Sequence, residues 1–218
     1  MLYEETRQEI IDIAREIKSI GLVQMTGGNV SARMPNGDIC VTPSGMPYEP
    51  MVPADVLVLN KDGEVIEGTL RPSVDTVALM YVYKNMPEIN ALIHTHQPYA
   101  TAISLIGDEL PACTTFLCNA TCGSVPVAPF SAAASEQMGK EFVDYAGDKR
   151  AVILSNHGVL AGGPTLHDAE YACVYLEEAA KCYLAALAAS KDGKLKLMTK
   201  EQEDEAVETF KHYGQKKK

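Results

Sequence analysis

The sequence predicts an α/β fold, namely a single-domain α/β/α sandwich with a central mixed, largely antiparallel sheet that spans residues 1–218. Three observations predict this fold. Short strands separated by tight turns fill the first third of the chain, a pattern typical of antiparallel hairpins. Strands and helices alternate from residue 91 onward, as in layered α/β proteins. The chain is 46% hydrophobic and has no polar linker, so it can bury one sizeable core.

The first element is an amphipathic helix. Ile10, Ile13 and Ile17 recur at helical spacing, and they predict a helix over residues 4–20 that Gly21 ends. Short apolar runs bounded by turn residues then predict three strands, over residues 30–33, 39–42 and 56–59.

A hairpin and a helix follow. Asp62-Gly63 is a strong turn signal because both residues tolerate the positive φ of a tight turn, and it leads into a strand over residues 64–66. The apolar spacing between residues 76 and 85 predicts a largely buried helix that ends before Pro87.

The remainder of the chain alternates between strands and helices. Apolar runs predict strands over residues 91–94, 125–127 and 151–154. Helical patterns predict helices near residues 97–106, 134–145, 167–189 and 200–211. This alternation, together with the early hairpins, predicts the mixed sheet.

Composition excludes several classes of partner. The formal net charge of −10 argues against nucleic acid and anionic membrane surfaces. No apolar run approaches the roughly 18 residues that a membrane helix needs, and the first residues lack the features of a signal peptide. We therefore expect a cytoplasmic protein. Its six cysteines have no paired Cys-x-x-Cys spacing and are expected to be free thiols.

Three histidines and one carboxylate form a candidate metal site. His94 and His96 lie one residue apart at the end of an apolar run, where residues i and i+2 of a strand point the same way, about 7 Å apart. His157 follows a second apolar run, and Asp75 lies near the start of a predicted helix. Three neutral imidazoles with a carboxylate or water suit a catalytic zinc ion that keeps one position open. Alternatively, the histidines are packed side chains and Asp75 only caps its helix.

Small residues at turns form a candidate anion pocket. Their backbone and hydroxyl donors can surround a phosphate group. The pattern matches neither the P-loop nor the dinucleotide fingerprint, and each segment alone is an ordinary turn. The candidate segments are Gly27-Gly28-Asn29, Thr42-Pro43-Ser44-Gly45 and Ser73.

A zinc ion beside a phosphate pocket suits the cleavage of a phosphorylated ketose. The ion acts as a Lewis acid for the enediolate that forms when the carbon–carbon bond breaks. Asp75 can carry the proton to or from the enediolate carbon, and a tyrosine can serve the hydroxyl of the leaving aldehyde.

Taken together, these motifs resemble the class II aldolase/adducin family, in particular its L-fuculose-phosphate aldolase and L-ribulose-5-phosphate 4-epimerase members. The resemblance covers nearly the whole chain. It is carried by Thr26-Gly27-Gly28-Asn29-Val30-Ser31, Thr42-Pro43-Ser44-Gly45, Arg71-Pro72-Ser73, His94-Thr95-His96, Asn156-His157-Gly158 and Phe210-Lys211-His212-Tyr213-Gly214.

The resemblance implies a complete active site. It implies one Zn²⁺ on His94, His96 and His157, with Asp75 as the acid/base carboxylate. It implies phosphate binding at Gly28, Asn29, Thr42, Ser44, Gly45 and Ser73. It also implies a fourfold-symmetric homotetramer with active sites between subunits, in which Tyr213 reaches a neighbour's site as the proton donor.

The chain departs from the family at four positions. The aldolases carry Pro-Ser-Ser-Glu where this chain has Val74 and Asp75 in the last two places, so one phosphate hydroxyl is lost and the carboxylate is one methylene shorter. The epimerases place a catalytic Asp where this chain has Asn119, and a neutral amide cannot serve as that acid/base. The second site tyrosine of the aldolases, near Thr115, is absent.

We therefore expect a zinc-dependent class II aldolase that cleaves a ketose 1-phosphate reversibly. The expected substrate is L-fuculose 1-phosphate, which yields dihydroxyacetone phosphate and L-lactaldehyde. Two alternatives remain open: a sugar-phosphate epimerase of the L-ribulose-5-phosphate 4-epimerase type, and a non-catalytic scaffold like the adducin branch. The adducin branch lacks the metal set, so the three histidines favour an enzyme.

Overall fold

The computed structural model describes residues 1–211 of the chain. The helices are α1 Glu4–Ser19, α2 Thr76–Asn85, α3 Pro98–Ile103, α4 Thr115–Thr121, α5 Glu136–Ala146, α6 Leu166–Ala189 and α7 Lys200–Phe210. The strands are β1 Asn29–Arg33, β2 Ile39–Val41, β3 Leu57–Leu59, β4 Val65–Glu67, β5 Ala91–Thr95, β6 Glu109–Leu110, β7 Val125–Ala128, β8 Ala151–Leu154 and β9 Gly158–Gly163.

Within these residues the strands form one nine-stranded sheet, in the order β4-β3-β2-β1-β5-β9-β8-β7-β6. Neighbouring strands are antiparallel except for β7 and β8, which are parallel. The prediction of a single-domain α/β fold with a mixed, largely antiparallel sheet is therefore confirmed. Strand β5 lies at the centre, between β1 and β9.

Side chains on alternate strand positions fill two separate cores, one on each face of the sheet. Ile93 faces the larger core, which contains the buried side of α1 and α6. Leu92 faces the second core, which contains α2 and α5. Successive strand residues point to opposite faces, so His94 shares the face of Leu92 and lies on the side of α2 and α5.

Most predicted elements are confirmed within one to three residues at their ends, but β6, β9 and α4 are additions. Strand β9, Gly-Val-Leu-Ala-Gly-Gly, is the important one because it pairs with both β5 and β8. Glycine is a poor strand former, which hides this strand from propensity-based prediction. Tertiary contact explains the glycines: a Cβ at Gly162 would lie 2.9 Å from the side chain of Leu92.

Helices α2 and α5 pack closely against each other on the face of the sheet that carries His94. A Cβ at Gly139 of α5 would lie 2.4 Å from the carbonyl oxygen of Ala78 in α2, so glycine permits direct contact between the helix backbones. In residues 1–211, we find no helix with the length and apolar character that crossing a bilayer requires.

Candidate active site

The three predicted histidines converge at the ends of β5 and β8. The Nε2 atoms of His94 and His96 are 3.1 Å apart. The His157 ring centroid lies 4.8 Å from that of His94 and 5.3 Å from that of His96. One nitrogen from each ring can be chosen so that all three lie within 4.8 Å of one another. The structure thus brings His157 next to His96, although the two residues are 61 positions apart in the chain.

The central strands fix the tautomer of His94. Its Nδ1 lies 2.8 Å from the carbonyl oxygen of Val159 in β9. A carbonyl can only accept, so Nδ1 carries the proton and donates, and the lone pair of Nε2 faces His96. A metal-binding histidine commonly has this arrangement, in which a backbone carbonyl orients the ring.

Burial keeps the three imidazoles neutral. It lowers the pKa of His94 to about 4, against an opposing effect of the nearby Asp75 carboxylate. Burial also lowers the pKa of His96 and of His157, and the mutual repulsion of the rings contributes to the effect on His96. Neutral imidazole is the form that ligates metal ions, so the cluster is prepared for a cation at neutral pH.

His157 comes from the tight turn between β8 and β9. Asn156 has a φ of 57°, and the His157 backbone N–H donates to the carbonyl of Leu154 at 3.1 Å. The buried Nδ1 of His157 has no hydrogen-bond partner among the described residues. A buried polar atom rarely stays without a partner, so this nitrogen and the neutral donor set fit a divalent metal ion.

Asp75 faces the histidines and does not cap α2. Its side chain makes no capping hydrogen bond, although the residue occupies the N-cap position. Instead, Oδ2 accepts from Nδ2 of Asn29 and Oδ1 accepts from the backbone N–H of Ala134, both at 3.0 Å. Asp75 is 6% exposed. The capping alternative is therefore wrong, and the carboxylate is oriented toward the histidine cluster from two sides.

The predicted phosphate-binding residues fall into two groups. Gly28, Ser44, Gly45 and Ser73 line a cavity of about 150 Å³ beside the histidines. Its other lining residues are Thr26, Gly27, Pro43, Val74, Asp75, His96, Ala133 and His157. The sequence does not single out Ala133 or Ala134, because their segment, 131–134, matches no motif of a functional site.

Asn29 and Thr42 lie behind this cavity. Both are fully buried. The Asn29 amide is engaged with Asp75, and Thr42 Oγ1 accepts from the backbone N–H of Val30 at 3.2 Å. In this structure, their side chains therefore support the site from behind rather than line its cavity.

The turn that carries Gly28 is fixed by a tyrosine that the sequence pattern did not indicate. Oη of the buried Tyr48 donates to the carbonyl of Gly28 at 3.0 Å. Burial raises the pKa of Tyr48, so its hydroxyl stays protonated and remains a donor.

Hydrogen bonds to α6 hold the residues on either side of His96 in place. Thr95 Oγ1 donates to Gln97 Oε1 at 2.6 Å, and Gln97 Nε2 donates to the carbonyl of Cys173 at 2.8 Å. The Glu177 carboxylate accepts the backbone N–H groups of Tyr99 and Ala100 at the start of α3. These contacts anchor the chain immediately before and after His96.

Three further positions from the sequence analysis lie elsewhere. Tyr213 falls outside the described residues. Thr115 and Asn119 lie on α4, where they border a separate cavity against α7. In the orientation that satisfies its amide, Asn119 donates to the carbonyls of Thr115 and Ala206 at 3.0 and 2.7 Å.

The geometry agrees with the comparison to known proteins. The family model described as Class II Aldolase and Adducin N-terminal domain matches residues 8–184. The chain belongs to the class II aldolase and adducin family. The resemblance inferred from the sequence motifs is therefore confirmed.

Relatives within the class II aldolase and adducin family differ in their named activities. The chain is 35% identical to a 5-deoxy-D-ribulose 1-phosphate aldolase of Bacillus thuringiensis serovar kurstaki, over 99% of this chain and 100% of that protein. It is 32% identical to an L-ribulose-5-phosphate 4-epimerase of Salmonella paratyphi C, over 82% of this chain and 83% of that protein. Among solved structures, an L-fuculose 1-phosphate aldolase superposes with a TM-score of 0.89 at 28% identity, covering 97% of this chain and 98% of that chain.

Proposed function

We propose that this protein is a metal-dependent aldolase that reversibly cleaves a ketose 1-phosphate into dihydroxyacetone phosphate and an aldehyde. The observation that carries the proposal is the convergence of His94, His96 and His157. Two of these histidines, His96 and His157, line one small cavity together with Asp75. Family membership and the aldolase relatives support it. L-Fuculose 1-phosphate and 5-deoxy-D-ribulose 1-phosphate are the substrates to test first.

The three imidazoles would hold the metal, which we propose to be Zn²⁺. Neutral nitrogen ligands suit zinc, and three protein ligands leave a position open for substrate. When bound, such an ion supplies Lewis-acid stabilisation of negative charge on the substrate oxygens.

The small residues that line the cavity would bind the phosphate. They are two glycines and two serines: Gly28, Ser44, Gly45 and Ser73. Backbone N–H and hydroxyl donors can bind a phosphate group without a lysine or arginine side chain. Asn29 and Thr42 would complete the pocket from behind by holding its walls, with Asn29 also orienting Asp75.

Asp75 would move the proton at the reacting carbon. Cleavage leaves the bonding electron pair on the carbon of the dihydroxyacetone phosphate fragment, and the carboxyl group of Asp75 delivers a proton there. In the synthetic direction, the Asp75 carboxylate removes that proton. We propose that Tyr213, from a neighbouring subunit of a homotetramer, carries the proton of the hydroxyl that becomes the aldehyde: away from it in cleavage and back to it in synthesis. We also propose that the protein acts in the cytoplasm.

Two other functions give different results in the same test. A 4-epimerase would convert L-ribulose 5-phosphate into D-xylulose 5-phosphate without releasing fragments. The family position of its catalytic Asp is Asn119 here, whose amide is engaged with backbone carbonyls, and this favours the aldolase. An adducin-like scaffold would need no metal site, whereas this chain has three clustered histidines that could hold a metal ion.

A coupled assay for dihydroxyacetone phosphate across a panel of ketose phosphates, with and without a chelator, tests the proposal. We expect release of dihydroxyacetone phosphate from at least one ketose 1-phosphate, its loss on chelation, and its return when zinc is restored. Conversion of L-ribulose 5-phosphate with no released fragment would replace the aldolase by the epimerase. Purified protein that holds no metal and turns over no substrate would favour the scaffold.

A further inference from the structure

Gly27 lies directly against the imidazole of His96. A Cβ built on Gly27 would be 2.8 Å from Nδ1 and 3.2 Å from Cε1 of that ring. Real Cβ atoms essentially never come within 3.0 Å of another heavy atom, so only glycine leaves room for the ring in its present position. We propose that Gly27 is a positioning residue that sets the His96 ring for metal binding. This inference rests on the metal site of the proposed function.

Within the part of the chain that the structure describes, His96 lacks the kind of hydrogen bond that orients the ring of His94. His94 is oriented by the hydrogen bond from its Nδ1 to the carbonyl of Val159. Among residues 1–211, no side chain or carbonyl makes a hydrogen bond to Nδ1 of His96. Close packing therefore takes the place of a hydrogen bond in orienting this ring.

A second glycine closes the other side of the ring. A Cβ at Gly158 would lie 3.2 Å from Cδ2 of His96 and 2.2 Å from the carbonyl oxygen of Thr95. Gly27 and Gly158 thus hold the imidazole between two backbone segments, and its Nε2 emerges 3.1 Å from Nε2 of His94. The chain just before Gly27 is also bonded to the backbone of His96, because the His96 N–H donates to the carbonyl of Leu22 at 3.2 Å.

Of the two glycines, Gly27 permits a clean test. Its φ lies outside the left-handed region, so Gly27→Ala tests the space that a new Cβ needs. That Cβ would be 2.8 Å from Nδ1 of His96 and, as the lesser contact, 3.2 Å from the carbonyl oxygen of Gln24. Gly158→Ala would meet the backbone of Thr95 and disturb the pairing of β5 with β9. Gly107 is the matched control, because its φ is also outside that region and its nearest atom to a new Cβ is 3.9 Å away.

The size of the effect follows from the displacement. Relief of the contact from 2.8 Å to the ordinary limit of 3.4 Å requires a shift of about 0.6 Å in the ring, if the backbone stays in place. Functional side chains need to be held to about 0.5 Å, and loss of a group that orients a ligand lowers metal affinity about 10- to 100-fold. We expect Gly27→Ala to weaken zinc binding by that factor and Gly107→Ala to leave it unchanged.

The measurement is the zinc dissociation constant of the full chain, obtained by competition with a chromophoric chelator in the absence of any phosphate. Phosphate binding by the neighbouring turn then cannot contribute to the result. Equal affinity of wild-type and Gly27→Ala protein would overturn this inference and leave the metal site intact. A wild-type protein that binds no zinc would overturn the metal site of the proposed function, and this inference with it.

A double variant separates a local effect on the ring from general damage. In a His96→Ala background the ring is gone, so we expect Gly27→Ala to cause no further loss of zinc affinity. A further loss of tenfold or more in that background would overturn the inference. If Gly27→Ala alone does not fold, the double variant should fold, because the main contact has been removed; failure of both to fold would equally refute a role through His96.

Discussion

Replacing Asn29 by alanine tests how the carboxylate of Asp75, the proposed acid/base group, is held. The Nδ2 atom of Asn29 donates to Oδ2 of Asp75 at 3.0 Å, and both residues are buried. A hydrogen bond to a charged group contributes roughly 1.5–3 kcal/mol. If that energy orients Asp75 for proton transfer, Asn29→Ala should lower kcat about 10- to 150-fold, at about 1.4 kcal/mol per factor of ten.

The assay is steady-state kinetics of dihydroxyacetone phosphate release, with zinc content and thermal melting measured on the same samples. We expect KM for the sugar phosphate and the zinc content to stay near their wild-type values, because the Asn29 side chain does not line the cavity. Asn36→Ala is the matched control, since Asn36 donates to Asp38 at 2.9 Å in an exposed pair. A raised KM with unchanged kcat would refute the reasoning and show that Asn29 contacts the phosphate.

Three further substitutions test the metal site, a buried carboxyl group on α6 and the packing of α5 against α2. His94→Ala should abolish both bound zinc and activity, as measured by elemental analysis and the coupled assay; retained metal would contradict its role as a ligand. Burial and the nearby Glu16 raise the pKa of Glu170, whose buried Oε1 has no partner among the described residues. Burial thus opposes the negative charge of Glu170, so Glu170→Gln should raise the melting midpoint at pH 7. The stability gained by Glu170→Gln should shrink as the pH falls below the ordinary carboxyl range, because Glu170 is then protonated and no longer destabilises the folded state. An equal gain at pH 7 and at that low pH would contradict a raised pKa for Glu170. Gly139→Ala should lower the midpoint, because overpacking costs about 1–3 kcal/mol and the gain in helix propensity returns only about 1 kcal/mol. Adding Ala78→Gly should not restore stability, since the contact is with backbone atoms of that residue; full recovery would show a side-chain contact instead.

Local sequence patterns were sufficient wherever one segment carried the whole signal. Helix α1 and the hairpin at Asp62-Gly63 follow from apolar spacing and turn chemistry, which act within a few residues. The pairing of His94 with His96 follows equally from the alternation of side chains along a strand, and their Nε2 atoms do lie together.

Contacts between distant segments could not be predicted in this way. Strand β9 is rich in glycine because β5 and α6 approach its backbone closely, so its sequence looks like a loop although it lies in the middle of the sheet. The family motif predicts that Asn29 contributes to the phosphate site, and only the fold reveals that its amide donates to Asp75, 46 residues away.

The sequence by itself determined which donor groups the proposed chemistry uses: three imidazoles that follow apolar runs, and one carboxylate near the start of a helix. The tertiary structure alone decided how those groups are held, through the carbonyl of Val159, the N–H of Ala134 and the space left by Gly27. The physical reason is that donor atoms are properties of side chains, which the sequence states directly. Orientation depends on backbone groups and vacant space, which every residue shares and no residue type reveals.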